Sequence, residues 1–227
     1  MGQIIRAGAA REEIIKCGRD TLDAARQRDD AWKKPAEERL APVLELCDGI
    51  AAEMVALGRV VQPLRQGIDM QNEVADDIIV RVVEQLFDLG GRRRNDPWLA
   101  LLAPGGAGAY TDGPTDEQPR RMALFAKLLR KLGHKRIAKA ETDAAADKID
   151  TAAKSFGEAV AAAEQPMAEL SLVERTLTAL AKVVRMELVS LKQGWKAAGF
   201  SEAEIHRVIP DSPDAGSAST TTEPPPT

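Results

Sequence analysis

Stepping alternately three and four residues from Leu40 lands on Val43, Cys47, Ile50, Met54, Leu57, Val61, Leu64, Ile68, Gln71, Ala75, Ile78, Val82, Gln85 and Leu89. Only Gln71 and Gln85 are polar. A repeat of about 3.5 residues keeps one apolar line facing a partner helix over many turns. A strand, with its period of two, has no use for such a repeat. A second seam of the same kind runs through Ala153, Phe156, Val160, Ala163, Met167, Leu170, Glu174, Leu177, Ala181, Val184, Leu188, Leu191 and Trp195. These two lines predict an all-α chain whose long helices pack against one another.

Each seam passes through a Gln-Pro step, Gln62-Pro63 and Gln165-Pro166. Proline removes a backbone donor and crowds the preceding turn. The register survives both steps, which a kinked helix explains more simply than a hairpin. The shared layout fits either an internal duplication, 36–90 and 120–198, or the chance resemblance that helical sequences show to one another. Beyond Ile78 the apolar surface widens to Ile79, Val80, Val83, Leu86 and Phe87, which calls for several neighbouring helices.

A first helix is expected over 10–33, and Pro35 followed by Ala36-Glu37-Glu38 reads as the start of the second. Gly90-Gly91 ends the second helix. The Gly- and Pro-rich stretch 91–119 reads as one long loop, with a short helical turn over 96–102. A third helical stretch occupies 120–165, its pattern interrupted at Gly133 and Ala144-Ala145-Ala146; the second seam supplies a fourth helix. Ser201 and Glu204 form a capping box for a short helix over 202–208. Residues 1–9 are read as a flexible N-terminus. The Pro/Ser/Thr tail 209–227, without large apolar residues beyond Ile209, is read as disordered. The fold expected is thus an elongated antiparallel bundle of four main helices, with its helical part spanning 10–208.

Aromatic residues make up 4% of the chain, so the core must be aliphatic. The net charge of -4 argues against a general nucleic-acid binder. Its distribution is uneven. Between Arg92 and Lys139 lie Arg92, Arg93, Arg94, Arg120, Arg121, Lys127, Arg130, Lys131, Lys135, Arg136 and Lys139, against the acids Asp96, Asp112, Asp116 and Glu117. From Arg120 to Lys139 no acid occurs, and Met122, Phe125, Leu129 and Leu132 share one face. Basic amphipathic helices bind phosphate backbones, anionic lipid surfaces or acidic proteins. They also serve as bundle helices whose outer charges pair with an acidic remainder of the same protein.

Catalytic and metal-binding patterns are not found. His134 and His206 have no carboxylate at the Glu-x-x-His spacing, and Asp69, Glu73, Asp76 and Asp77 read as a solvated face. Cys17 and Cys47 sit among apolar residues and read as buried thiols. The run 104–108 is glycine-rich but lacks the Gly-Lys-Ser/Thr ending of a phosphate loop. Trp98 and Tyr110 are expected either to anchor the loop 91–119 onto the bundle or to serve as exposed contacts. The string from Ala198 to Ile205 resembles the helix-turn-helix turn of MerR-type regulators over eight residues. A glycine C-cap followed by a serine N-cap writes the same string in many proteins, so no family is drawn from it.

No signal-like segment or membrane span is recognised, which points to the cytoplasm. The abundance of Ala and Arg is what a GC-rich bacterial genome encodes. The function expected is structural or protein-interaction, through a protein partner or self-association, with no cofactor, metal or enzymatic role. The alternative is binding of an anionic surface through the basic helix.

Overall fold

The computed structural model describes residues 8–92 and 96–210. The expectations for residues 1–7, for Arg93 and Arg94, and for the tail from 211 lie outside the described residues. The tail expected from 209 does not include Ile209, which is fully buried and donates its N–H to the Ile205 carbonyl at 2.8 Å. The described chain is all-α: α1 (Arg11–Arg26), α2 (Asp30–Leu89), α3 (Pro97–Leu102), α4 (Gly108–Thr111), α5 (Gln118–Leu132), α6 (Lys139–Ala197) and α7 (Glu202–His206). Helices α2 and α6 carry the two seams, and helix continues unbroken through Pro63 and Pro166. Neither proline opens a hairpin. No described helix is long and apolar enough to cross a membrane.

Several boundaries differ from those expected. The break between α1 and α2 falls at 27–29, upstream of Pro35. The Asp29 carboxylate accepts the Ala31 N–H at 3.1 Å, so it caps the new helix. Trp32 rewards the extra turn by packing on Trp195 and Phe200, with ring centroids 4.8 and 4.2 Å away. The later break falls at 133–138, after Gly133, and 139–197 is one helix. The Ala144–Ala146 run does not interrupt it, because Ala145 and Ala146 are buried contacts and alanine is the best helix former.

The chain divides into two compact units, Met1–Ala56 with Ser171–Thr227, and Leu57–Leu170. In the first, α1 and the N-terminal half of α2 pack on the C-terminal half of α6. Trp32 meets Trp195, Arg39 pairs with Glu187 at 2.9 Å, and Arg11 reaches the Glu174 carbonyl at 3.4 Å. Rising numbers on α2 thus meet falling numbers on α6, so the two run antiparallel. Leu40, Cys47, Ala181, Val184 and Leu188 fill the interface. Cys17 and Cys47 are buried free thiols, and burial pushes the Cys17 thiol up to about 11. Gly199, at φ 94, turns the chain from α6 into α7 in a conformation that a side chain would resist. Ser201 and Glu204 complete the capping box, as expected.

In the second unit, the C-terminal half of α2 and the N-terminal half of α6 enclose a core with α3, α4 and α5. Ala75, Ile79, Val82 and Leu86 meet Met122, Phe125 and Leu129 from α5, and Ile149 and Phe156 from α6. This is the widened apolar surface read beyond Ile78, except that Val80 stays 40% exposed. Among the described residues of 91–119, the helical turn expected over 96–102 forms as α3, and α4 adds a second short helix to what was expected to be loop. Asp96 caps α3 by accepting the Trp98 and Leu99 N–H groups at 2.9 and 3.3 Å. The second short helix, α4, was not legible. It forms because Tyr110 stacks on Phe125, with centroids 4.2 Å apart, and donates its hydroxyl to the Leu102 carbonyl.

Candidate interaction surfaces

The Leu57–Leu170 unit carries the basic residues singled out by sequence, and the fold disperses them. The segment 120–139 is a helix, a turn and the first residue of the next helix. Within α5, Met122, Phe125 and Leu129 are fully buried, which turns the opposite face outward. Leu132 does not join them and stays partly exposed at the helix end.

Most of the cations on or near that face have internal partners. Arg130 spans to α6, where Asp147 accepts at 2.6 Å and Asp150 accepts as a second partner. Lys139 pairs with Asp143 at 2.7 Å and Arg92 with Asp88 at 2.8 Å. Arg121 folds back to donate to the Asp112 and Pro114 carbonyls. Lys135 lies over the half-buried Trp98 ring, 5.7 Å from its centroid. Trp98 is therefore engaged within the unit, and Tyr110, only 6% exposed, is an internal anchor.

Arg120 overlooks a groove of about 730 Å³ that it shares with Arg65, Asp69, Asp116, Glu117 and Glu164. Four carboxylates against two guanidinium groups leave that groove locally acidic. Lys127, Lys131 and Arg136 remain, exposed and without an ion pair to a described residue. Leu124 stands on the same outward side of α5, half exposed. Of the described cations in this stretch, Arg92, Arg130 and Lys139 are thus ion-paired within the chain, and Arg121 and Lys135 have other internal contacts.

The buried polar groups are structural as well. His134 Nδ1 accepts the Arg136 N–H at 3.1 Å, which assigns the ring proton to Nε2. Nε2 then donates to Asp96 at 3.2 Å. Desolvation raises the Asp96 carboxyl, but the Trp98 and Leu99 N–H groups and His134 outweigh it and hold it below its usual range. With both ring nitrogens engaged, His134 fastens α3 to the α5–α6 turn and has no lone pair to lend. Of the acids on α2, Asp76 accepts from Gln118 at 2.6 Å and from Asn72 at 3.3 Å, and Asp77 pairs with Arg81 at 2.9 Å. Among the described residues, no three His, Cys, Asp or Glu side chains gather as metal ligands do.

A different surface was missed in sequence. In the Leu57–Leu170 unit, α2 leaves Val60 51%, Met70 58% and Val74 46% exposed, with Pro63 also exposed. Val74 edges an open groove of about 550 Å³, with Gln71 and Ile78 on its own helix and Thr151, Ala152 and Ser155 on α6. The signal was present as a second line of three-and-four steps beside the first seam. The longer, more hydrophobic seam masked it.

The comparisons with known proteins add no function: no family model, curated protein or solved structure matches the chain.

Proposed function

We propose that the chain is a structural or scaffolding protein that engages a protein partner through helical faces, and that it is not an enzyme. The observation that carries this reading is the run of exposed apolar side chains on α2, Val60, Met70 and Val74, aligned along one helix side. Scattered apolar residues are ordinary on a surface, whereas an aligned set marks a contact site. A photo-crosslinking residue placed at Val60 should give protein adducts in the native cell. The same group at exposed Lys154 should not. Solvent-quenched product at both positions would refute the reading.

A second reading, binding of an anionic surface, keeps the support of Lys127 and Lys131, on the same side of α5 as Leu124, and of Arg136 in the turn that follows; all three are exposed and carry no described ion pair. Binding to labelled DNA, RNA or anionic vesicles would have to weaken steeply with salt. Charge reversal at those three positions should then abolish it without unfolding the protein. No binding at low salt removes this reading.

A further inference from the structure

The exposed run on α2 follows a strict pattern. Val60, Pro63, Gly67, Met70 and Val74 are spaced three, four, three and four residues apart. Each immediately precedes a residue of the inner seam, Val61, Leu64, Ile68, Gln71 and Ala75. The outer line is therefore turned by about 100° from the inner one. Two adjacent apolar lines in the same phase let one helix serve two neighbours at once. Helix α6 takes the inner line, and the outer one faces solvent.

The flanking charges select the occupant. In heptad terms the outer line holds the a and d positions. The adjoining g positions are then Arg59, Gln66 and Glu73, evenly spaced by seven residues. In an antiparallel pair of helices, g positions face g positions of the partner. Two copies of α2 related by a two-fold axis near Gln66 and Gly67 would set Arg59 of each against Glu73 of the other. Gln66 would meet its own copy. Val60 would lie beside the other chain's Met70, and Pro63 beside its Gly67. At the crossing, Gly67 has open space around it, with no atom within 4 Å of where a Cβ would stand. A parallel pairing would set the same charges against the inner seam, at Leu64 and Ile78, with no partners. The pattern is thus complementary to itself in one orientation only, as an isologous contact requires.

We propose that this face of α2 docks a second copy of the chain, antiparallel and two-fold symmetric about Gln66 and Gly67. The proposal deepens the interaction reading above and rests on it.

The test uses the full chain in sedimentation velocity, from micromolar to submillimolar concentration. The wild type should pass from monomer to dimer across that range. Met70→Asp with Val74→Asp should hold it monomeric, with unchanged helical circular dichroism, because both side chains are exposed. Arg59→Glu alone and Glu73→Arg alone should each weaken the dimer roughly tenfold. The combined Arg59→Glu/Glu73→Arg chain should recover it, because the swap rebuilds both pairs. A wild type that stays monomeric throughout overturns the proposal. So does a dimer indifferent to the Met70 and Val74 changes, or one that the charge swap fails to restore. A monomer that still crosslinks another protein at Val60 sinks this inference alone. A monomer without crosslinks sinks the interaction reading with it.

Discussion

Gly18 and Gly49 both lie inside helices of the unit formed by Met1–Ala56 with Ser171–Thr227, yet the same substitution should act on them with opposite signs. Replacing a helix-interior glycine by alanine ordinarily stabilises by about 1 kcal/mol, through backbone entropy. At Gly49 a Cβ would meet nothing within 4 Å, so that gain should appear nearly whole. At Gly18 the Cβ would stand 2.6 Å from Val184 Cγ1 and 3.3 Å from Leu44 Cδ2. Val184 is fully buried and β-branched within α6, so its side chain has essentially one rotamer and nowhere to turn. Overpacking of this kind costs about 1–3 kcal/mol. Set against the helix gain, Gly18→Ala should destabilise by about 1 kcal/mol net, leaving the two variants about 2 kcal/mol apart. With a urea m-value of about 2 kcal/mol/M, their midpoints should differ by about 1 M. Both are best measured in a Trp98→Phe background. Tryptophan emission then comes from Trp32 and Trp195, which touch each other in this unit's core. Adding Val184→Ala should erase most of the penalty specific to Gly18→Ala. If Gly18→Ala raises the midpoint as Gly49→Ala does, the close approach of α1 to α6 is wrong.

Two further outcomes follow from the polar contacts. Glu202 is hydrogen-bonded to Lys196 and Lys192, which lower its carboxyl from 4.5 to about 2. A depressed carboxylate stabilises the fold fully above its unfolded value and loses that effect as pH falls through the folded one. Docking of α7 should therefore weaken between about pH 4.5 and 2, whereas Glu202→Gln should be less stable at neutral pH and flat across that window; parallel pH profiles would contradict this. Tyr110→Phe should cost about 1–2 kcal/mol by leaving the Leu102 carbonyl without its donor, and should speed hydrogen exchange over 97–111 ahead of α5; unchanged exchange there would refute the anchoring role.

The parts of this fold legible in sequence are those with a period. Both seams could be followed residue by residue, and positions such as Leu40, Val82, Phe156 and Leu188 are buried as the spacing requires. Features set by contacts between distant residues could not be read in this way. The extra turn of α2 depends on Trp32 meeting Trp195, 163 positions later. Helix α4 is one turn long, too short to show a period, and depends on Phe125 beneath Tyr110. The basic residues and an acidic remainder able to pair with them were visible, but the individual pairs were not, because Arg130 finds Asp147 and Asp150 only once α5 lies beside α6. The outer apolar line on α2 was written in the sequence one residue out of step with the inner seam.

The discontinuity of the unit that joins Met1–Ala56 to Ser171–Thr227 shapes how the chain must be made. A ribosome delivers Ile14, Ile15, Leu22, Trp32 and Leu40 first, and the residues that cover them, Val184, Leu188 and Trp195, only after Leu57–Leu170 has been synthesised. At about 5–20 residues per second that interval is roughly 6 to 23 s. Throughout it the leading apolar surface lacks the part of its native cover that α6 supplies, while the stretch emerging behind it has its whole core contiguous in sequence. The nascent chain therefore closes from the middle outward, and its N-terminal helices are the segment that a holding chaperone would shield.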